Sequence, residues 1–149
     1  MAEPANRPDL AAMIVPLGRS LMAAEQPILA AHDLTMWGYV VLSHLRGTPT
    51  RTQAALADAI GADRTRIIGV LDELQQRGLI RREPDPTDRR VRLLSLTAAG
   101  RRLRDTASAA IQRNEERLLA ALPPADRRAL LRSLRTLAAL PRDRIVGTA

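Results

Sequence analysis

The sequence predicts a mainly α-helical fold carrying one small β-hairpin, and three observations carry that expectation. Residues 63–78 place Ile67, Val70, Leu71 and Leu74 at the three-and-four spacing that makes a single buried stripe on a helix. The runs 79–82 and 90–96 are then short and rich in Val, Leu, Ile and Arg, and they flank Pro84, Asp85, Pro86, Thr87 and Asp88, a cluster of turn-forming residues. From Thr97 onward helical spacing returns through Leu103, Ala107, Ala110, Ile111, Leu118 and Leu122.

Taken in order, residues 1–8 hold two prolines and no periodicity and read as a frayed arm. A first helix follows from Asp9 to about residue 30, with Leu10, Met13, Ile14, Leu17, Leu21, Ile28 and Leu29 at helical spacing. Pro16 and Pro27 are expected to kink or interrupt it, because each removes a backbone donor and crowds the carbonyl four residues back. Thr35 opens a second helix carrying Met36, Trp37, Tyr39, Val40, Val41, Leu42 and Leu45, which ends near Gly47. Residues 48–51, with Pro49, form a connection with room for a short strand. Thr52 caps a third helix, 53–60, with Leu56, Ala59 and Ile60 expected to pack inward.

Gly61 turns the chain into the fourth helix, which Asp63 caps and Gly78 ends. Two short helices joined through a glycine are the helix-turn-helix arrangement, and the hairpin after them makes it the winged form. Thr97 caps a fifth helix to about residue 122, where Pro123 and Pro124 break it. The last helix, 124–140, carries Leu130, Leu131, Leu134 and Leu137 with its arginines mostly on the other face, and 141–149 reads as a loose tail.

The expected organisation is one domain, 1–149, with a DNA-binding lobe at 34–96 and dimerisation helices at 9–30 and 97–140. Those terminal helices expose more apolar stripe than one small lobe covers, and a symmetric homodimer resolves this.

Composition narrows the partner. The formal net charge is +7, and all 23 basic residues are arginine. Such a balance suggests a polyanionic partner, although charge alone does not separate nucleic acid from an acidic membrane surface. Arginine supplies the fork that reads guanine and enters narrow grooves, while a GC-rich coding bias accounts for the larger share of so uniform a preference. With no cysteine, disulfides, thiolate metal sites and thiol-based oxidant sensing are excluded. The N-terminal stretch has Glu3, Arg7 and Asp9 before its first apolar run, unlike a signal peptide or a membrane span, so a cytoplasmic protein with no membrane partner is expected.

A recognition helix usually meets base edges with its N-terminal residues. In the fourth helix these are Arg64, Thr65 and Arg66, with Ile68 at the border of the polar face. Gly69 costs roughly 1 kcal/mol against alanine in an exposed helix interior but lets a backbone approach closely; the alternative is a plain surface helix with an accidental glycine. Arg89 and Arg90 sit at the hairpin tip, with Arg81, Arg82 and Arg92 along its arms. Arginine on a projecting ribbon can enter a minor groove, where the potential is most negative. The competing reading is a solvated tip holding an Asp88–Arg90 ion pair of little worth. Arg51 and Arg77 are candidate phosphate contacts.

The run LDELQQRGLIRREPDPTDRRVRLLSLTAAG closely resembles the wing signature of MarR-type transcriptional regulators, L-x-x-x-G-L-[IV]-x-R, then D-P-x-D-x-R, then L-T-x-x-G. The upstream TQAALADAIGADRTRI and DLTMWGYVVLSHL resemble that family's preceding helices, so the likeness spans nearly the whole chain. The resemblance implies a homodimer built by interleaved terminal helices. It also implies recognition helices reading a pseudo-palindromic operator with half-sites roughly 10 bp apart. It favours Arg90, third residue of the Asp-x-Arg pattern that starts at Asp88.

Members of the resembled family commonly bind small aromatic or phenolic acids between the second helix and the dimer helices. His32, Trp37, Tyr39 and His44 are the chain's complete set of His, Trp and Tyr, and all fall within 32–44 beside Met36. They are the candidate effector pocket, with Arg19 as an anion partner; the alternative, favoured for any one residue, is ordinary core packing and hydrogen bonding.

No G-x-S-x-G, phosphate loop or Cys nucleophile points to an enzyme, two histidines without a cluster make no metal site, and no cofactor is implied. The expected function is sequence-specific duplex-DNA binding that regulates transcription, as a repressor relieved by a small aromatic or phenolic effector. The alternatives are a winged-helix protein-interaction module and a non-specific DNA-binding protein. The clustered wing arginines argue against the first.

Overall fold

The computed structural model describes residues 6–49 and 52–147. Its first helix, α1 (Leu10–Ala31), runs through Pro16 and Pro27 as one element, so neither proline interrupts it. The reason lies in exposure. The carbonyls that lose an amide partner belong to Ala12 and Ala23, both exposed residues, so no buried acceptor is stranded there.

Next come α2 (Met36–Gly47), α3 (Gln53–Ile60) and α4 (Arg64–Gln76), each started by the capping residue expected. Thr35 Oγ1 accepts from the Gly38 amide at 3.0 Å, Thr52 Oγ1 from the Ala55 amide at 2.9 Å, and Asp63 Oδ1 from the Thr65 amide at 2.8 Å. Gly61 and Gly78 hold φ of 69° and 71°, the left-handed conformation that closes α3 and α4. At Gly78 the closure is complete, because the Leu79 amide donates to the Leu74 carbonyl and the Gly78 amide to that of Gln75. Thr48 and Pro49 form no strand, and residues 50 and 51 lie outside the described residues.

Within α3 the buried pair is Leu56 and Ala57, while Ala59, expected to point inward, is exposed. Positions 53, 56, 57 and 60 form the one helical row facing α2 and α4, and Ala59 falls outside it. The core gathers Leu29 and Leu34 with Val41, Leu42, Leu56, Ile67, Leu71, Leu74, Ile80 and Leu94. These side chains weld the helix-turn-helix to the base of the hairpin.

The hairpin is β1 (Ile80–Pro84) against β2 (Arg92–Leu96), antiparallel, with Ile80 opposite Leu96 and Arg82 opposite Leu94. Its turn is made by its own aspartates. Asp85 accepts from the Thr87 amide and hydroxyl at 2.8 and 2.7 Å, and Asp88 from the Arg90 amide at 3.1 Å. α5 (Ala98–Leu119) starts where Thr97 caps the Gly100 amide at 3.0 Å. The helix ends three residues short of the expected 122, tightening over residues 120–122 into turns. α6 (Pro124–Ala138) follows, and the tail read as loose forms a single helical turn and a half, α7 (Arg142–Val146), which Pro141 starts.

The chain divides at residue 110, inside α5, into two compact units. In the first, α5 is tied to α2: Arg46 Nε donates to Asp105 at 3.1 Å, and Arg104 donates to Ser43 Oγ at 3.2 Å and to Asp105 at 3.3 Å. The hydrogen bond from Arg46, with Arg104 assisting, holds the Asp105 carboxyl below its ordinary pKa. In the second unit Arg127 of α6 pairs with Glu116 of α5 at 2.6 Å. Among the described residues no helix is long and apolar enough to cross a membrane.

One close approach locks the hairpin base. A β-carbon on Gly100 would lie 2.0 Å from the Leu79 carbonyl oxygen and 2.9 Å from its carbon, so the start of α5 lies against the backbone that leaves α4. Thr97 secures the crossing, its amide donating to the Leu79 carbonyl at 3.1 Å and its hydroxyl to the Gly78 carbonyl at 2.6 Å. Gly100→Ala therefore forces backbone apart, and about 3 kcal/mol of stability should be lost, the upper part of the overpacking range. Thermal denaturation should show a drop of roughly 6–12 °C for a domain of this size. An unchanged midpoint would mean the two segments part easily.

Candidate nucleic-acid interface

α4 separates its residues cleanly. Ile67, Leu71 and Leu74 are buried, while Arg64, Thr65, Arg66, Ile68, Gly69, Asp72 and Gln76 are exposed. Ile68 stands 47% exposed, an apolar side chain on a face otherwise made for polar contact. A β-carbon at Gly69 would meet nothing within 4 Å, so no internal packing requires glycine there. The absence of a side chain leaves a smooth place on the outer face.

The arginines sort by what already holds them. Arg66, Arg89 and Arg92 are exposed and form no ion pair among the described residues. Arg64 reaches Asp58 only at 3.9 Å, and Arg81 reaches Glu83 at 3.6 Å. Arg90 carries the expected local pair with Asp88, at 3.4 Å, with its side chain 92% exposed. Pairs that exposed contribute little, so these cations remain available. Arg77 differs: it donates to the Asp33 backbone carbonyl at 2.7 Å and lies near Glu73, tying the end of α4 to the turn between α1 and α2. Arg51 lies outside the described residues.

Arg82 also differs from its neighbours. It donates to Asp72 of α4 at 2.9 Å from the inner face of the hairpin. A cleft of about 430 Å³, lined by Thr52, Gln53, Arg82, Arg90 and Leu94 among others, lies between the start of α3 and the hairpin. The structure thus gathers the start of α3 and the hairpin around one arginine-lined cleft, with Arg82 linking the hairpin to α4. Sequence spacing alone placed Arg82 on an arm but gave no sign of its partner, ten residues earlier on another element.

The candidate effector residues lie along α1 and α2. Arg19 is exposed on α1. His32 closes α1, its Nδ1 2.8 Å from the Ile28 carbonyl oxygen, the ordinary role for such a histidine. Met36, Trp37, Tyr39 and His44 are all half-buried. The structure adds Arg104 to this region, its guanidinium 6.0 Å from the centre of the Tyr39 ring. Its position beside the apolar stripe residues Leu103 and Ala107 was the available signal. Among the described residues no group of three or more His, Asp or Glu side chains gathers as a metal site.

Comparison with known proteins agrees with this geometry. The MarR family model matches residues 32–91. The HTH-type transcriptional repressor NicR of Pseudomonas putida is 33% identical over 105 residues, 70% of this chain and 66% of that protein. The transcriptional regulator HosA of Escherichia coli O111:H- is 37% identical over 71 residues, 48% of this chain and 53% of that protein. The chain spans about two thirds or less of the length of these curated relatives. Among solved structures, CouR from Rhodococcus jostii RHA1 bound to p-coumaroyl-CoA is 30% identical with a TM-score of 0.72, covering 89% of this chain and 94% of that one. A structure of the transcriptional repressor CouR bound to a 23-mer DNA duplex is 32% identical with a TM-score of 0.72, covering 87% and 92%. A shared hairpin, shared helices and these identities have one explanation: the chain belongs to the MarR family of winged helix-turn-helix transcriptional regulators.

Proposed function

We propose that this chain is a cytoplasmic homodimer that binds a pseudo-palindromic duplex operator, represses by occupying a promoter, and is released by a small aromatic or phenolic acid. The observation that carries it is that the cations at the start of α4, Arg64 and Arg66, and at the hairpin tip, Arg89 and Arg90, are exposed and at most weakly paired, on a hairpin that Arg82 ties to α4. Arg64, Thr65, Arg66 and Ile68 would meet base edges in the major groove, Gly69 would admit the close backbone approach, and Arg89 and Arg90 would enter the flanking minor groove. Arg51 and Arg77 stand as backbone contacts, Arg77 only by leaving the Asp33 carbonyl. The DNA-bound CouR structure supports this use of the fold.

Dimerisation is supported by apolar faces left open in both units. On α1, Leu10, Met13, Ile14, Leu17 and Met22 are exposed; α6 buries no residue at all and exposes Leu130, Leu134 and Leu137. The effector reading is supported by the p-coumaroyl-CoA complex of CouR and by the half-buried Met36, Trp37, Tyr39 and His44. A ligand acts only through its preference for the dimer with separated reading heads, which sets how far affinity can fall.

Selection of bound fragments from a random duplex pool should enrich an inverted repeat whose affinity falls steeply with salt. On the winning site Arg90→Glu should bind at least about tenfold more weakly at 0.1 M salt while remaining dimeric. Salt-sensitive binding without an enriched motif would replace the operator reading with a non-specific coat, and no binding would favour a protein-interaction module.

Sedimentation should give a dimer for the natural sequence, and replacing Leu134 and Leu137 together by Glu should give monomers that keep a folded helix-turn-helix. A dimer that survives both charges would place the interface elsewhere.

Trp37 is the sole tryptophan, so its fluorescence reports on α2. Titration with hydroxybenzoates and hydroxycinnamates should change that emission and lower operator affinity in parallel. Emission and affinity both unchanged across the series would leave a constitutive binder.

A further inference from the structure

We infer that Arg82 is a positioning residue: it fixes the angle between the hairpin and the recognition helix without itself touching DNA. The inference rests on the proposed DNA-binding reading and concerns how its two contact elements are held in register.

Strand alternation separates Arg82 from its neighbours. Arg81 faces out at 59% exposure, whereas the Arg82 side chain, opposite Leu94 on the inner face, is 21% exposed. Its guanidinium joins three elements. One terminal nitrogen donates to Asp72 Oδ1 of α4 at 2.9 Å. Both terminal nitrogens donate to Gln53 of α3, at 3.0 and 3.2 Å, once the Gln53 amide is oriented with its oxygen toward these donors. Nε is buried with no acceptor among the described residues, a cost that an apolar side chain would avoid.

Two further observations say what the brace does. A cleft lies between the hairpin and the start of α3, and its lining includes Arg82 and Gln53, so a bond across it helps set the hairpin's tilt. A fork with partners on two helices restrains two directions at once. Asp72, moreover, lies on the outer face of α4 with Thr65 and Gly69. An unpaired carboxylate there repels phosphate, and Arg82 cancels it.

The test compares Arg82→Met, which keeps most of the apolar stem, with Asp72→Asn and the double variant. Three readouts are taken: affinity for the selected site and for random duplex, the slope of log affinity against log salt, and amide exchange in the hairpin of the free protein. The Met variant should lose roughly tenfold or more on the selected site, the scale of one misread base pair. In the double variant, where no carboxylate is left unpaired on the outer face, random duplex affinity should change by less than about twofold and the salt slope should hold, since no phosphate contact is removed. Hairpin amides should exchange roughly tenfold faster without DNA. The double variant should be no weaker than the worse single, as for partners in one interaction.

A slope reduced by about one, with equal loss on both DNAs, would make Arg82 a phosphate contact and overturn the inference. Unaltered hairpin exchange would overturn it too. Should the natural protein bind no duplex, the functional proposal fails, while the exchange readout still decides the brace. Should Arg82→Met fail to fold, Asp72→Asn carries the same comparison.

Discussion

The contact on which the rest of the structure depends is the crossing of two backbones at Gly100 and Leu79. No side chain fits between them, and Thr97 bonds to both carbonyls that emerge from the end of α4. The recognition helix, the hairpin and the long helix α5 therefore share one fixed point. Whatever moves the first unit's part of α5 must carry the base of the hairpin with it, because the crossing has no slack. The α2–α5 ties through Arg46, Ser43, Arg104 and Asp105 extend that rigidity to the helix bearing Trp37 and Tyr39.

Charge is distributed by the same logic of commitment. Arginines that face inward or toward the helix ends, Arg77, Arg82 and Arg104, are used to hold elements together. Those on the outer surface of α4 and the hairpin tip meet only weak local pairs or none. A net charge of +7 thus overstates what is available at any one place, and burial, not composition, picks out the cations that face solvent.

Much of this was legible in the sequence because it is local. The caps Thr35, Thr52, Asp63 and Thr97, the left-handed glycines 61 and 78, and the turn aspartates 85 and 88 all act within a few residues of themselves. Where reading failed, a solvent or tertiary term decided. Pro16 and Pro27 do not interrupt α1, whose carbonyls left without an amide belong to the exposed Ala12 and Ala23. Ala57 displaces Ala59 because two neighbouring helices select the row. The partners of Arg82 and Arg104 lie on other elements, so periodicity carries no trace of them. The short helix α7 starts after Pro141 with Asp143 in its first turn, and its five residues are too few for a helical period to register. At the candidate interface the exposed faces of α4 and the hairpin tip were readable, whereas the division of arginines into committed and uncommitted was not.

The hairpin turn is closed by bonds among residues 85–91, with Asp85 buried at its start. Positions 86, 89 and 90 can therefore vary without disturbing the strand register. On the proposed reading this gives duplicated copies of such a chain an inexpensive path to divergence, in which a few tip substitutions separate the operators of sister regulators while the scaffold beneath stays the same.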